Sequence, residues 1–201
     1  MGIPVFILGE SGSGKSTSLR NLSESEATIF GVAGKPLPFK KKLDYIAHAN
    51  YSVIGAELKR QTKKIYVIDD SQYLLAFDLF DKAKELGYGK FTDIAVRFKK
   101  MLDYIIQKLN DDIIVYLLHH VETLDGGKIK AKTVGKMLDN QLTLEGLFSI
   151  VLFANNLNNE YVFETQTDGF TTAKSPMGMF QPKIPNDLKF VDTVIREYWG
   201  L

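Results

Sequence analysis

Near its amino end the sequence reads Gly9-Glu10-Ser11-Gly12-Ser13-Gly14-Lys15-Ser16-Thr17, which fits G-x-x-x-x-G-K-[ST] at every fixed position. The glycines let the backbone curl so that successive N–H groups converge on an anion. A following helix would turn its positive end toward the same anion. The Lys15 ammonium would reach the β- and γ-phosphates of a nucleotide, and the Ser16 hydroxyl would ligate Mg²⁺. Residues 9–17 are therefore the candidate triphosphate-binding residues. They follow an apolar run over 5–8 and precede a predicted helix over 15–22, the strand-to-helix context that the motif requires. By themselves they define phosphate binding and nothing beyond it.

Such a loop needs a carboxylate on the metal side, at the end of a neighbouring strand. Ile65-Tyr66-Val67-Ile68-Asp69 has that form, so Asp69 joins Ser16 as a candidate metal ligand. Asp70 is the candidate for polarising an attacking water, and Gln72 is near enough to orient one. A third apolar run over 113–118 ends in His119-His120. Adjacent strand residues face opposite ways, so one histidine faces a ligand; the expectation is His120, as a γ-phosphate sensor. The candidate catalytic set is Lys15, Asp70 and His120. Lys128, Lys130, Lys132 and Lys136 cluster after this strand, and Lys174 comes later. They are candidates for contacting DNA phosphates or a neighbouring subunit's nucleotide. Phe39-Lys40-Lys41-Lys42 and Arg97-Phe98-Lys99-Lys100 mix charge with aromatic rings, a pairing suited to single strands.

The elements that must position these residues alternate. Strands are predicted over 5–8, 27–32, 65–68, 113–118 and 148–153, and helices over 15–22, 52–61, 72–86, 92–109 and 188–198. Asn186 is the expected cap of the last helix. A hairpin is expected over 161–165 and 170–172, turning at Asp168-Gly169. Pro36 and Pro38 make the segment between them rigid and non-helical. Buried strands alternating with helices imply an α/β fold with a mainly parallel sheet. The 201 residues, 45% of them apolar, suit one domain over 1–201. A net charge of +1 confines any nucleic-acid surface to a local patch. The absence of cysteine excludes disulfides and thiol catalysis and fits a cytoplasmic location. The short apolar start reads as a strand rather than a secretory signal. Phe6 stands where an acylation motif takes Ser or Thr, and no apolar run reaches membrane-span length.

Several stretches together resemble a family: residues 9–16, Gly34-Lys35-Pro36-Leu37-Pro38-Phe39, Ile68-Asp69-Asp70-Ser71-Gln72-Tyr73-Leu74, residues 132–139, residues 173–180 and residues 184–188. The chain is similar to phage-encoded P-loop ATPases of the short RecA-like type, relatives of ATP-dependent single-strand-annealing recombinases. The resemblance implies a RecA-like P-loop NTPase domain with a C-terminal β-hairpin and helix, ATP and Mg²⁺ as ligands, and self-association. It also implies action on single-stranded DNA in phage recombination or replication. Lys174 would then act across a subunit interface, and Lys128 to Lys136 would meet DNA. One departure matters. Such enzymes place a catalytic Glu at the end of the strand after the loop helix, and Phe30-Gly31-Val32-Ala33-Gly34 has no acid. Two other readings stand beside an ATPase. One is a nucleotide or small-molecule kinase, disfavoured because the only arginines are Arg20, Arg60, Arg97 and Arg196. The other is a nucleotide-switched binding module with little hydrolysis.

Overall fold

A computed structural model describes residues 1–135, Leu138 and residues 142–201. At its centre is β1 (Ile3–Gly9). This strand is apolar on both sides, as a strand covered on two faces must be. It pairs in parallel with β5 (Ile114–Thr123) on one side and β7 (Ile150–Leu157) on the other. Beyond β5 the sheet continues in parallel through β4 (Ile65–Asp69), β2 (Ala27–Gly31) and β3 (Asp44–Ala47). Beyond β7 it turns antiparallel through β8 (Glu160–Glu164) and β9 (Lys183–Pro185). The order is β3-β2-β4-β5-β1-β7-β8-β9, and a short β6 (Ile129–Ala131) pairs antiparallel with the far end of β5. The protein is thus mixed α/β, with a mainly parallel sheet flanked by helices.

The two-residue period of the strands sorts the core into two layers. Phe6, Leu8, Phe30, Ile68, Val115 and Leu117 face one way. They are covered by α1 (Tyr51–Arg60), α2 (Gln72–Asp81) and α3 (Gly89–Lys108). Val5, Ile7, Ile29, Val67, Tyr116 and Leu118 face the other way, under α4 (Leu188–Trp199) and the residues 16–21 that follow the glycine-rich loop. Among the described residues no helix is long and apolar enough to cross a membrane.

Several local expectations change. The predicted helix over 15–22 is a 3-10 helix of six residues, Ser16–Asn21. Its start is tightened by the Ser18 hydroxyl donating to the Lys15 carbonyl at 2.6 Å, a local bond that competes with regular helix. Its dipole is correspondingly short. The helix predicted over 72–86 stops at Asp81, since residues 83–89 are all exposed and offer no apolar face to hold another turn. β5 runs five residues past its predicted end at 118, because β6 pairs with that extension. The hairpin expected around Asp168-Gly169 does not form. Asp168 does accept from the N–H groups of Phe170 and Thr171, but β8 pairs instead with β7, across a turn at Asn158 and Asn159, and with β9. The cap of α4 is Asp187, whose carboxylate accepts from the N–H groups of Lys189 and Phe190, and not Asn186. β3 had no counterpart in the sequence reading.

One buried charge network ties α4 to the sheet. Tyr116 donates to Asp192 Oδ1 at 3.0 Å, and Arg196 Nε donates to Asp192 Oδ2 at 2.7 Å. Arg196 also holds the carbonyls of Asp112 and Lys64. Removing the carboxylate leaves the buried Tyr116 phenol without its acceptor and the Arg196 guanidinium with backbone carbonyls alone. Asp192→Ala is therefore expected to lower unfolding free energy by about 3 kcal/mol, as measured by urea denaturation, with the m-value unchanged.

Candidate functional site

Gly9 closes β1, and the chain turns through residues 10–15 with Gly12 and Gly14 at φ of 82° and 93°. Both lie in the left-handed region that only glycine adopts freely. At Gly14 a side chain would also collide, because a Cβ there would sit 2.6 Å from the Tyr161 ring. The Lys15 side chain folds back over the loop, its ammonium donating to the Gly9 and Glu10 carbonyls at 2.7 Å each. Burial pushes its pKa down to about 8, and the nearby Asp70 and Asp69 charges offset only part of that.

The Ser16 hydroxyl donates to Asp69 Oδ1 at 2.9 Å, joining residues 53 positions apart. The contact exists because β5 pairs with both β1 and β4, so their C-terminal ends lie along one edge. Burial raises Asp69 to about 6, with the Asp70 charge adding to the effect and the Ser16 hydrogen bond opposing it. A carboxylate held this way gains from a cation. Among the described residues no group of three or more His, Asp or Glu could hold a metal alone. A Mg²⁺ ion takes one or two protein oxygens and fills its shell with phosphate oxygens and water. Ser16 and Asp69 are the residues that fit it.

Asp70 has a left-handed backbone, φ 61°, which turns its side chain out of the line of β4. Both of its oxygens are engaged. Oδ2 pairs with Lys35 Nζ at 2.7 Å, and Oδ1 lies 3.1 Å from His120 Nε2. Burial alone would raise this carboxyl, but the His120 and Lys35 hydrogen bonds outweigh it and hold the group below its ordinary value.

The two histidines separate as strand alternation requires. His119 is fully buried, lies against Phe6 and Phe98, and donates from Nε2 to the Lys132 carbonyl at 2.9 Å. That bond fixes the tautomer and leaves Nδ1 to accept from Ser71 Oγ at 2.8 Å. His120 faces Asp70 and meets the Tyr73 ring edge-on.

The loop, both aspartates, His120, Lys35, Pro36, Pro38 and Tyr161 line a cleft of about 330 Å³. It brings together Ser11, Gly12, Gly14, Lys15, Ser16, Thr17, Asp69, Asp70 and His120 of the sequence-derived candidates. Gly9, Glu10 and Ser13 support the loop from behind, and Glu10 and Ser13 line a separate hollow with Asn155 and Asn156. Gln72 is buried at the start of α2. Lys128, Lys130, Lys132 and Lys174 are not among the residues lining the cleft. Lys130 pairs with Glu122 across the β5–β6 hairpin, and Lys174 bridges to Val151 through its backbone. Lys136 lies outside the described residues. Stacking of a base on Phe98 is ruled out, since that ring is buried in the core. Sequence reasoning gave no site role to Lys35 or Tyr161. Lys35 had a signal, standing between Gly34 and Pro36 in a rigid segment; Tyr161 had none. No protein-family model and no curated protein matches the chain.

Burial lowers His119 to about 3, from 6.5. A histidine depressed on folding contributes stability that is complete above pH 6.5 and is lost as pH falls toward 3, because only the unfolded chain takes up the proton in that window. Its limiting slope is about 1.4 kcal/mol per pH unit. Asp69, raised to about 6, contributes with the opposite sign between about pH 6 and 4 in both proteins. The expected result of urea denaturation between pH 7 and 4 is therefore a difference: stability falls with decreasing pH more steeply in the wild-type protein than in His119→Gln, by up to this amount.

Proposed function

We propose that the protein is a RecA-like P-loop NTPase that binds a magnesium-bound nucleoside triphosphate in the cleft and hydrolyses it. The observation that carries the reading is the Ser16–Asp69 hydrogen bond of 2.9 Å. A loop hydroxyl and a strand-end carboxylate, the two protein ligands such a metal takes, meet beside a lysine on a glycine-rich turn. Bound there, Mg²⁺ would neutralise charge on the β- and γ-phosphates. Lys15 then leaves the Gly9 and Glu10 carbonyls for the phosphate oxygens, and the N–H groups of residues 12–16 surround the β-phosphate. The position of β5 between β1 and β4 supports the RecA-like assignment, since it brings His120 between the loop and the acids, where a γ-phosphate sensor belongs. ATP as the nucleotide, self-association, single-stranded DNA and a role in phage recombination or replication follow from the family resemblance and are part of this proposal. Lys174 and Lys128 to Lys136 are the residues it assigns to those contacts.

A slower, switch-like enzyme has an observation in its favour. β2 ends at Gly31 without an acid, and both oxygens of Asp70 are already paired. Water activation therefore waits on a rearrangement around Asp70.

Titration calorimetry with a non-hydrolysable ATP analogue and Mg²⁺ tests the binding step. Lys15→Ala is expected to weaken affinity by roughly 10- to 100-fold, the worth of charge-assisted phosphate contacts. Asp69→Asn should remove the gain that Mg²⁺ gives while leaving metal-free binding in place. Phosphate release with and without single-stranded DNA tests the rest. A several-fold stimulation lost in Lys15→Ala supports the ATPase, and phosphate transfer to a nucleoside monophosphate instead would replace it with a kinase.

A further inference from the structure

Lys35 is held in place by more than its own ion pair. The end of β2 opposite Asp69 is Gly31, and a Cβ there would lie 1.8 Å from the Tyr45 hydroxyl. Tyr45 thus fills the space a side chain at that strand end would occupy, and its hydroxyl donates to the Lys35 carbonyl at 2.5 Å. Gly34, at φ 67°, hydrogen-bonds from its N–H to the Gly31 carbonyl at 3.1 Å, and its Cα faces the His48 ring so closely that a Cβ would stand 2.2 Å from it. Pro36 and Pro38 stiffen the chain that follows. Backbone geometry on both sides therefore fixes where Lys35 starts, and its side chain projects over the cleft to Asp70 at 2.7 Å.

That side chain is 62% exposed. Its partner Asp70 is buried, with a side chain 6% exposed, but keeps His120 on its other oxygen, so Lys35 can turn to a second acceptor without leaving that carboxylate unpaired. Inside the cleft Lys15 and Lys35 face Asp69 and Asp70, two cations against two carboxylates. A triphosphate is a stronger and more concentrated acceptor than the single oxygen of Asp70 that Lys35 now holds.

From this placement we infer that Lys35 is the residue that distinguishes a triphosphate from a diphosphate, moving from Asp70 to the terminal phosphate when that group is present. The inference rests on the triphosphate reading above. The shift ties the 34–38 segment to the bound phosphate through the Lys35 side chain, and it leaves Asp70 Oδ2 open to a hydrogen bond from water. A diphosphate does not reach Lys35, so the pair with Asp70 and the segment stay as they are.

The test compares calorimetric affinities for a non-hydrolysable ATP analogue and for ADP, both with Mg²⁺, in the full chain. Hydrogen–deuterium exchange at the amides of Lys35, Leu37 and Phe39 is followed in parallel. The unmodified protein is expected to favour the triphosphate by about tenfold or more and to slow exchange at those amides with the triphosphate alone. In Lys35→Ala the preference should fall to about twofold or less, ADP affinity should stay within about twofold, and the protection should vanish. Lys35→Arg should keep part of both. An unchanged preference in Lys35→Ala, or equal protection by ADP, overturns the inference while the triphosphate site stands. Failure of the unmodified protein to bind either nucleotide overturns the site and the inference together.

Discussion

The site depends on one arrangement of strands. β5 pairs in parallel with β1 on one edge and β4 on the other. Parallel strands in register end together, so the loop leaving β1 at Gly9, the acids leaving β4 at Asp69 and the histidines on β5 share one edge of the sheet. The Ser16–Asp69 hydrogen bond is the consequence, a 2.9 Å contact between residues 53 apart in the chain. The pairing in turn rests on burial. Val5, Phe6, Ile7 and the matching residues of β4 and β5 are removed from water on both faces, and that apolar area is what holds the sheet closed.

Polar groups at this edge are buried, and each needs a partner. For the two adjacent histidines the structure meets the demand by splitting it. His119 goes into the core, neutral, with each ring nitrogen bonded, and links Ser71 at the start of α2 to the strand that carries it. His120 stays at the cleft with Asp70. Lys15 and Lys35 supply positive charge against Asp69 and Asp70, so the cleft is close to electrically balanced. Burial makes Lys15 easier to deprotonate and Asp69 easier to protonate than they are in water. Both shifts mark groups whose charged forms are under-solvated, the electrostatic condition in which phosphate and a cation bind with most effect.

The RecA-like P-loop ATPase proposed for this chain draws on two separate observations, a resemblance read along the sequence and the geometry of the cleft. The first concerns runs of residues along the chain; the second concerns what those runs touch. They differ most at β2. The resemblance calls for an acid there, and Gly31 has none. Instead Tyr45 of β3 occupies the space, and Lys35 arrives beside Asp70 from the segment that follows β2. The end of β2 carries no acid, and the chain that follows it brings a positive side chain, Lys35, to Asp70.

Residues 9–16 could be read from sequence because their chemistry is local. The spacing of glycines, lysine and serine along a single turn is set by backbone geometry within eight residues. The apolar runs of β1, β4 and β5 were legible for a related reason: a fully buried strand needs continuous apolar residues whatever lies next to it. The parallel α/β class followed from their alternation with helices. What the sequence left open is decided between segments. β3, β6 and the extension of β5 are weakly apolar and exist because an adjacent strand supplies hydrogen-bond partners. The Asp168-Gly169 turn forms locally, yet joins no hairpin, because β8 has stronger partners in β7 and β9. The helix after the loop is short because the Ser18 hydroxyl bonds to the Lys15 carbonyl. Lys35 reaches Asp70 only because β2 and β4 are neighbours and Gly31 leaves room for Tyr45. Pairing and burial are energies between distant parts of the chain, and the tertiary structure alone fixes them.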